Sequence, residues 1–291
     1  MKYDKLSIKK LAVVLIIIFS TSLHLPLSAN EDPLTMGIFP RKSAQLTINA
    51  FTPLATYLTE KLNRKVKLVT TYDFASFWRG VKEQEYDIVH YNQYHYVRSH
   101  KEYGYNVFAM NEEFGKSTIS SIILAKKDSD NLTIEDVVGQ TIAFGGGPKA
   151  MVSYILPLYM LGKANVSSYQ FESIFAKNPP NAVMALFFDK ADIAGVGSSV
   201  PDMSVIKNNI DTSQLIKIAE SESIVHLPWA VKNNMPLELS TEIQKLFITL
   251  NNSTANRKIL NSAKVTNFIV ANDSDYDRTR EIVLDVIGIQ Y

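Results

Sequence analysis

Thr141-Ile-Ala-Phe-Gly-Gly-Gly-Pro-Lys149 is the stretch on which the reading of this chain turns. Its first four residues predict a short strand, and three consecutive glycines stop it. Pro148 suits the first position of a helix that the apolar spacing carries on through Leu161. Strand, tight turn and helix together make the βα unit of a parallel α/β sheet. Glycines let the backbone turn with few steric limits and approach a ligand closely. The unpaired N–H groups of a helix's first turn, with the helix dipole and Lys149 added, make an anion site. The stretch is not a Gly-x-x-x-x-Gly-Lys-Ser/Thr phosphate loop. Nor is it the Gly-x-Gly-x-x-Gly dinucleotide turn, whose third glycine would fall on Ala150.

The same alternation recurs on both sides. Upstream, Leu34-Thr-Met-Gly-Ile-Phe39 is a strand stopped by Pro40, and Leu46, Phe51, Leu54, Ala55, Tyr57, Leu58 and Leu62 mark one face of a helix. Residues 66–69 alternate as a second strand, 74–82 are helical, and Asp87-Ile-Val-His90 is a third strand. Residues 120–125 predict a strand that leaves this unit, and 128–139 a turn with a short helix. Downstream, 182–188 predict a helix and 191–196 a strand. A strand near Ile224, a long helix over 237–250, a helix around 256–262 and a last helix from Asp275 follow. No flexible linker interrupts the pattern. The spacing therefore predicts two lobes with a cleft between them, 30–120 plus 226–291 as the first and 121–225 as the second. Ligands in open α/β sheets sit beyond the carboxyl ends of the strands, and hinge closure buries them.

Two further segments suit recognition. His90-Tyr-Asn-Gln-Tyr-His-Tyr96 is dense in hydrogen-bonding aromatics that can grip a polar or cationic ligand by donors and ring faces. The same tyrosines also suit a role covering the lobe. A metal is not expected, because the five-residue spacing of His90 and His95 is not the i,i+4 pair of a helical zinc site. Asn178-Pro-Pro-Asn181 precedes a helix for which Asn181 reads as an N-cap. Gly195-Val-Gly-Ser-Ser199 can bring backbone donors to the cleft, but Ser198 is not in a Gly-x-Ser-x-Gly elbow. The acidic run Asp273-Ser-Asp-Tyr-Asp277 reads as a helix cap.

Composition narrows the classes. The 291 residues carry 30 Lys+Arg against 29 Asp+Glu, which gives no electrostatic case for nucleic-acid binding. There is no cysteine, hence no disulfide, thiolate metal site, cysteine nucleophile or lipid-bearing cysteine. The start has a basic head, an apolar run from Leu11 to Phe19 and Leu27-Ser-Ala29, the layout of a cleavable secretory signal over 1–29. Nine apolar residues are too few to span a bilayer. Removing Lys2, Lys5, Lys9, Lys10 and Asp4 with that segment leaves 26 basic and 28 acidic residues in an exported chain.

Several ordered segments carry a family resemblance: Met36-Gly-Ile-Phe-Pro40, Thr52-Pro-Leu-Ala-Thr-Tyr-Leu58, Tyr86-Asp-Ile-Val-His90, Ala125-Lys-Lys-Asp-Ser129, Val137-Val-Gly-Gln-Thr-Ile-Ala-Phe144, Ala191-Asp-Ile-Ala194 and Ser274-Asp-Tyr-Asp-Arg278. Their order and spacing resemble the periplasmic substrate-binding proteins of phosphate/phosphite/phosphonate ABC importers. The resemblance implies an α/β, two-lobed type II periplasmic binding protein, each lobe a mixed, mostly parallel sheet flanked by helices. It implies an oxyanion held at the helix start after the glycine turn. There the family's Ser-Thr-Ser is replaced by Lys149, Ala150 and Met151, and its His-Asp pair by Pro179-Pro180. The family tyrosine after the third strand matches Tyr96. The fold carries over, while the departure in the hydroxyl motif opens the ligand to another small oxyanion or a carboxylate.

The expected function is capture of a small polar, anionic ligand in an interlobe cleft by a soluble, monomeric periplasmic protein that serves a membrane ABC permease. The expected contacts are Phe39, Tyr91, Tyr94, Tyr96, Gly146, Gly147, Lys149, Ala150, Met151, Asn181 and Ser198, with no cofactor, no metal and no catalytic residue. A sensory role, with the closed form docking on a membrane signalling receptor, is the alternative within the same fold. An exported enzyme is the alternative from another class; it lacks a legible Ser-His-Asp arrangement or metal set.

Overall fold

The computed structural model describes residues 32–291 apart from 42, 131 and 132, so the expected signal segment lies outside the described residues. Strand β1 (Leu34–Ile38) runs into helix α1 (Ala44–Leu62). Ser43 caps α1 by accepting from the Leu46 amide, and Asn63 ends it in the left-handed region at φ 47°. Pro53 lies inside α1 and cannot donate to the Asn49 carbonyl; the Ser262 hydroxyl does so at 3.2 Å. Then come β2 (Val66–Thr70), α2 (Phe74–Lys82), β3 (Ile88–His90), α3 (Gln93–Tyr103) and β4 (Asn106–Glu112).

The chain crosses over through β5 (Thr118–Ile119) into β6 (Ser121–Lys126), β7 (Thr141–Phe144) and a π-helical turn (Met151–Ile155) continuous with α4 (Leu156–Lys163). After β8 (Glu172–Phe175), α5 (Pro179–Phe187), β9 (Ile193–Gly197), α6 (Ser204–Lys207) and β10 (Leu215–Glu220), it returns through β11 (Ile224–Val225). The closing elements are β12 (Pro228–Val231), α7 (Leu237–Ile248), α8 (Arg257–Ala263), β13 (Asn267–Val270) and α9 (Asp277–Ile287).

Two sheets result, with the orders β13-β4-β12-β3-β1-β2 and β10-β6-β9-β7-β8. Each holds a parallel trio, β2-β1-β3 in one and β8-β7-β9 in the other, followed by an antiparallel neighbour, β12 or β6. The sheets are mixed, with more antiparallel pairing than the βα pattern predicts. β6 and β12 border the crossovers, so each meets its parallel trio from the opposite direction. β5 and β11 pair antiparallel as Thr118↔Val225 and Ile119↔Ile224, joining the two crossing strands into a small ribbon.

Each sheet is buried on both faces, as parallel α/β layers require. In the first lobe, Trp229 anchors one face, stacked on His90 at 4.3 Å and edge-on to Phe51, Phe247 and Phe268. Its indole N–H donates to Asn111 Oδ1 at 2.9 Å, so the largest buried ring leaves no donor unpaired. The other face holds Phe77, Tyr86, Tyr91, Tyr96 and Tyr105. The second sheet packs Phe144, Leu161 and Ile193 on one side and Val183, Leu186 and Val196 on the other.

α9 does not belong to the first lobe alone. It packs on α3 and also on α4 of the second lobe. Its buried Ile282 and Val283 join Tyr94, Met151, Ile155, Leu156 and Ile224 in one apolar cluster. Among the described residues, no helix is long and apolar enough to cross a membrane.

Candidate functional site

The carboxyl ends of β1, β2 and β3 in one lobe and of β7, β8 and β9 in the other carry the loops where this architecture binds ligands. One hydrogen bond ties the two ends together. Asn92, just past β3, donates through Nδ2 to the Lys149 carbonyl, just past β7, at 2.9 Å. The glycine turn therefore faces the first lobe. With Nδ2 committed, Asn92 Oδ1 caps α3 by accepting from the His95 amide at 2.8 Å and also meets His95 Nδ1 at 2.8 Å. A carboxamide oxygen only accepts, so Nδ1 carries the proton of the neutral imidazole. Burial, with Lys149 and Arg98 nearby, pushes the His95 pKa down to about 3.

The chain between β7 and α4 departs from the expected helix start. The Ala150 amide bonds the Gly147 carbonyl at 2.9 Å, closing a turn over Gly147–Ala150, and the helix begins only at Met151. Pro148 therefore sits in the turn, not at the first helical position. The first helical turn is a π turn, in which the Ala150 carbonyl accepts from both Tyr154 and Ile155. Pro157, one turn on, cannot donate back to the Ser153 carbonyl and would crowd it; a wider turn accommodates that.

The three glycines differ. A Cβ on Gly145 would lie 2.6 Å from the Pro179 Cα, because α5 starts against the turn, whereas a Cβ on Gly147 would meet nothing within 4 Å. Gly147 and the Lys149 side chain are exposed, and Gly146 and Ala150 are half-buried. The backbone at Gly147 thus lies beside open space.

Other expected contacts are placed elsewhere. Tyr91 and Tyr96 lie in the core of the first lobe, fully buried. Strand alternation turns Tyr91 inward beneath α3, where its hydroxyl pairs with Ser99 Oγ at 2.6 Å. Tyr96, in the first turn of α3, donates to Asp273 Oδ1 at 2.6 Å, and Arg280 also pairs with that carboxylate. The acidic run is thus more than a cap. Met151 is also core, in the apolar cluster that joins the lobes, and Tyr94 sits in the same cluster with its ring edge-on to Tyr291. Asn181 does not cap α5. Asn178 does, accepting from the Asn181 amide at 3.0 Å, and Asn181 lies exposed in the first turn. Ser198, at the end of β9, is half-buried and donates its backbone N–H to Ser120 at 3.0 Å.

Phe39 lies just past β1, not within it, and is buried in the same core cluster as Tyr91 and Tyr96, where it is one member of a chain of rings. It contacts Phe74 at 6.1 Å, and Phe74 stacks on His95 at 5.7 Å. Trp78 and Tyr94 meet the same imidazole at 5.3 and 5.5 Å. Asn92, His95, Phe74 and Trp78 were not singled out as site residues. The available signal was their position directly after β2 and β3, the same signal that selected the glycine turn. His90 bonds the Pro228 carbonyl through Nδ1, while His95 bonds Asn92, so the two imidazoles answer to different partners.

Comparison with known proteins agrees with this architecture. Residues 36–276 match the model of the ABC transporter phosphonate periplasmic substrate-binding protein family. The phosphonates-binding periplasmic protein of Escherichia coli K12 is 22% identical over 259 residues, 87% of this chain and 77% of the relative. A binding-protein component of a Pseudomonas aeruginosa ABC phosphonate transporter superposes with TM-score 0.75 at 20% identity, covering 88% of this chain and 86% of the other. PhnD1 of Prochlorococcus marinus, solved with methylphosphonate, gives TM-score 0.76 at 16% identity over 88% and 99% of the chains. The fold is that of two-lobed type II periplasmic binding proteins. The chain belongs to the family of periplasmic substrate-binding proteins of phosphonate ABC transporters.

Proposed function

We propose that the protein binds a small oxyanion of the phosphonate class at the glycine turn and delivers it, as a monomer, to a membrane ABC permease. The observation that carries this reading is the Asn92–Lys149 contact, which sets the exposed turn against the ends of the first lobe's strands. Lys149 supplies charge, and the amides of Gly146, Gly147 and Lys149 supply donors. Closure excludes water and strengthens both. The family's hydroxyl triplet is absent, so affinity rests on the ammonium and the backbone. The half-open ring of Phe74 on the first lobe forms the opposing wall. Export would remove residues 1–29, which N-terminal sequencing of the periplasmic protein tests.

The binding test is calorimetric titration of the full exported chain with methylphosphonate, phosphite, phosphate and acetate. Saturable binding of at least one phosphorus oxyanion, lost in Lys149→Glu, is expected. Binding untouched by that substitution would move the site off the glycine turn.

A further inference from the structure

A ligand held between these lobes has a second end, and the first lobe's wall bears on what that end is. Phe39, Phe74 and His95 form a continuous path of ring contacts, with Trp78 and Tyr94 closing around the imidazole. Phe74 is 40% exposed, so part of its surface remains free while its ring stacks on His95. It opens α2 directly after β2, on the ligand-binding edge of the sheet. Tyr72, in the same loop, is 97% exposed.

The charges beside this path favour anions. Arg41 holds its guanidinium 5.7 Å from the Phe39 ring centre, and Lys149 approaches His95 from the other lobe. Two carboxylates lie beside the path. Asp73 caps α2, accepting from the Ser76 amide at 2.7 Å. Glu113 faces Arg41 at 3.8 Å and the buried His226 at 3.8 Å. An ammonium group on the ligand would thus meet the Arg41 and Lys149 cations, set against the exposed Asp73 carboxylate and the Glu113 that Arg41 already faces. The Phe39 face, which would attract the ammonium as a cation–π partner, is already taken by Arg41. An uncharged ring or hydrocarbon would find matching surface.

Resting on the anion site proposed above, we infer that the ligand selected here carries its oxyanion on an uncharged aromatic or hydrocarbon group that packs on Phe74, and not on an aminoalkyl group. Phe74 is the specificity-determining residue.

The experiment is calorimetric titration of the full exported chain with phenylphosphonate, methylphosphonate and 2-aminoethylphosphonate, repeated for Phe74→Ala and Phe74→Tyr. Phenylphosphonate is expected to bind at least tenfold more tightly than methylphosphonate, with the aminoethyl compound weakest. Phe74→Ala should weaken phenylphosphonate at least tenfold more than methylphosphonate, and Phe74→Tyr should restore the preference. Tightest binding of the aminoethyl compound, no advantage for the phenyl compound, or equal loss for both ligands in Phe74→Ala would overturn the inference while leaving the anion site standing. Failure of all three phosphonates to bind would remove the inference, and would remove the anion site as well only if phosphite and phosphate also fail to bind.

Discussion

Asn92 of the first lobe donates its side-chain amide to the main-chain carbonyl of Lys149 in the second lobe, and the same carboxamide receives the His95 amide and ring N–H. One side chain thus caps a helix, orients an imidazole and touches the opposing lobe. Asn92→Asp keeps the cap acceptor but sets a carboxylate oxygen against the Lys149 carbonyl. Losing this bond should disfavour the observed contact between the lobes by about 1–3 kcal/mol. Small-angle scattering of the unliganded variant should give a larger radius of gyration, and ligand affinity should fall about tenfold. Identical scattering and affinity would show that the contact contributes nothing.

Lys149 is exposed. Lys149→Glu should lower anion affinity at least tenfold, about 1.4 kcal/mol, with the unliganded melting temperature nearly unchanged. A large drop in melting temperature would instead make Lys149 structural.

The glycine turn separates packing from function. Gly145→Ala forces a methyl against the Pro179 backbone and should cost about 1–3 kcal/mol in urea unfolding. Gly147→Ala, which meets nothing, should leave stability within about 0.5 kcal/mol of the parent. Equal losses at both positions would contradict the tight approach of α5 to the turn.

Arg278 clasps α9 to the second lobe and the returning crossover. Its Nε donates to Glu222 at 2.8 Å, and Nη2 donates to Glu222 and to the Tyr159 hydroxyl at 2.5 and 2.8 Å. Both charged side chains are about two-fifths exposed, so solvent screening limits the stabilisation. Arg278→Met should lower unfolding free energy by about 1 kcal/mol or less, with the difference shrinking in high salt. Arg278→Lys should not recover it, since the planar fork is lost. A salt-independent loss several times larger would show a buried clasp.

Three imidazoles are held neutral, chiefly by burial: His90 and His95 are pushed down to about 3 and His226 to about 4. In the unfolded chain they titrate near 6.5. Below that value the unfolded state takes up protons that the folded state refuses. Stability is therefore full above about pH 6.5 and declines as pH falls toward 4. Each histidine removes about 1.4 kcal/mol per pH unit across that window. Urea midpoints at pH 7.5, 6.0 and 5.0 should fall steeply between the last two; a flat profile would mean that these rings are already charged or open to water.

Much of the strand and helix order was legible, because apolar periodicity and stop residues are local. The strand before the glycine turn and the first lobe's β2, β3 and α2 lie within a residue or two of their predicted bounds. β4, β5, β8, β10 and β13 were missed, and β12 was not separated from β11. β4 reads as an irregular mixture, and β10 lies at a sheet edge, half-exposed. Their strand character comes from partners far away in the chain, such as Asn267↔Glu112 and Leu215↔Lys126. The tyrosines misled for a related reason. A dense polar-aromatic run suggests a ligand, but Ser99 and Asp273, which consume the hydroxyls of Tyr91 and Tyr96, become visible as partners only once α3 has folded against the sheet and α9 has followed it.

From the amino-acid order alone came the two α/β units, the glycine bend after a strand and the family. Those depend on short-range periodicity and on residue types that permit or forbid a conformation. Tertiary structure decided which side chains meet across the fold: Asn92 with Lys149, Phe74 with His95, and α9 with both lobes. Side-chain direction follows from where a strand or helix is pressed by its neighbours, and that is a property of the assembled layers.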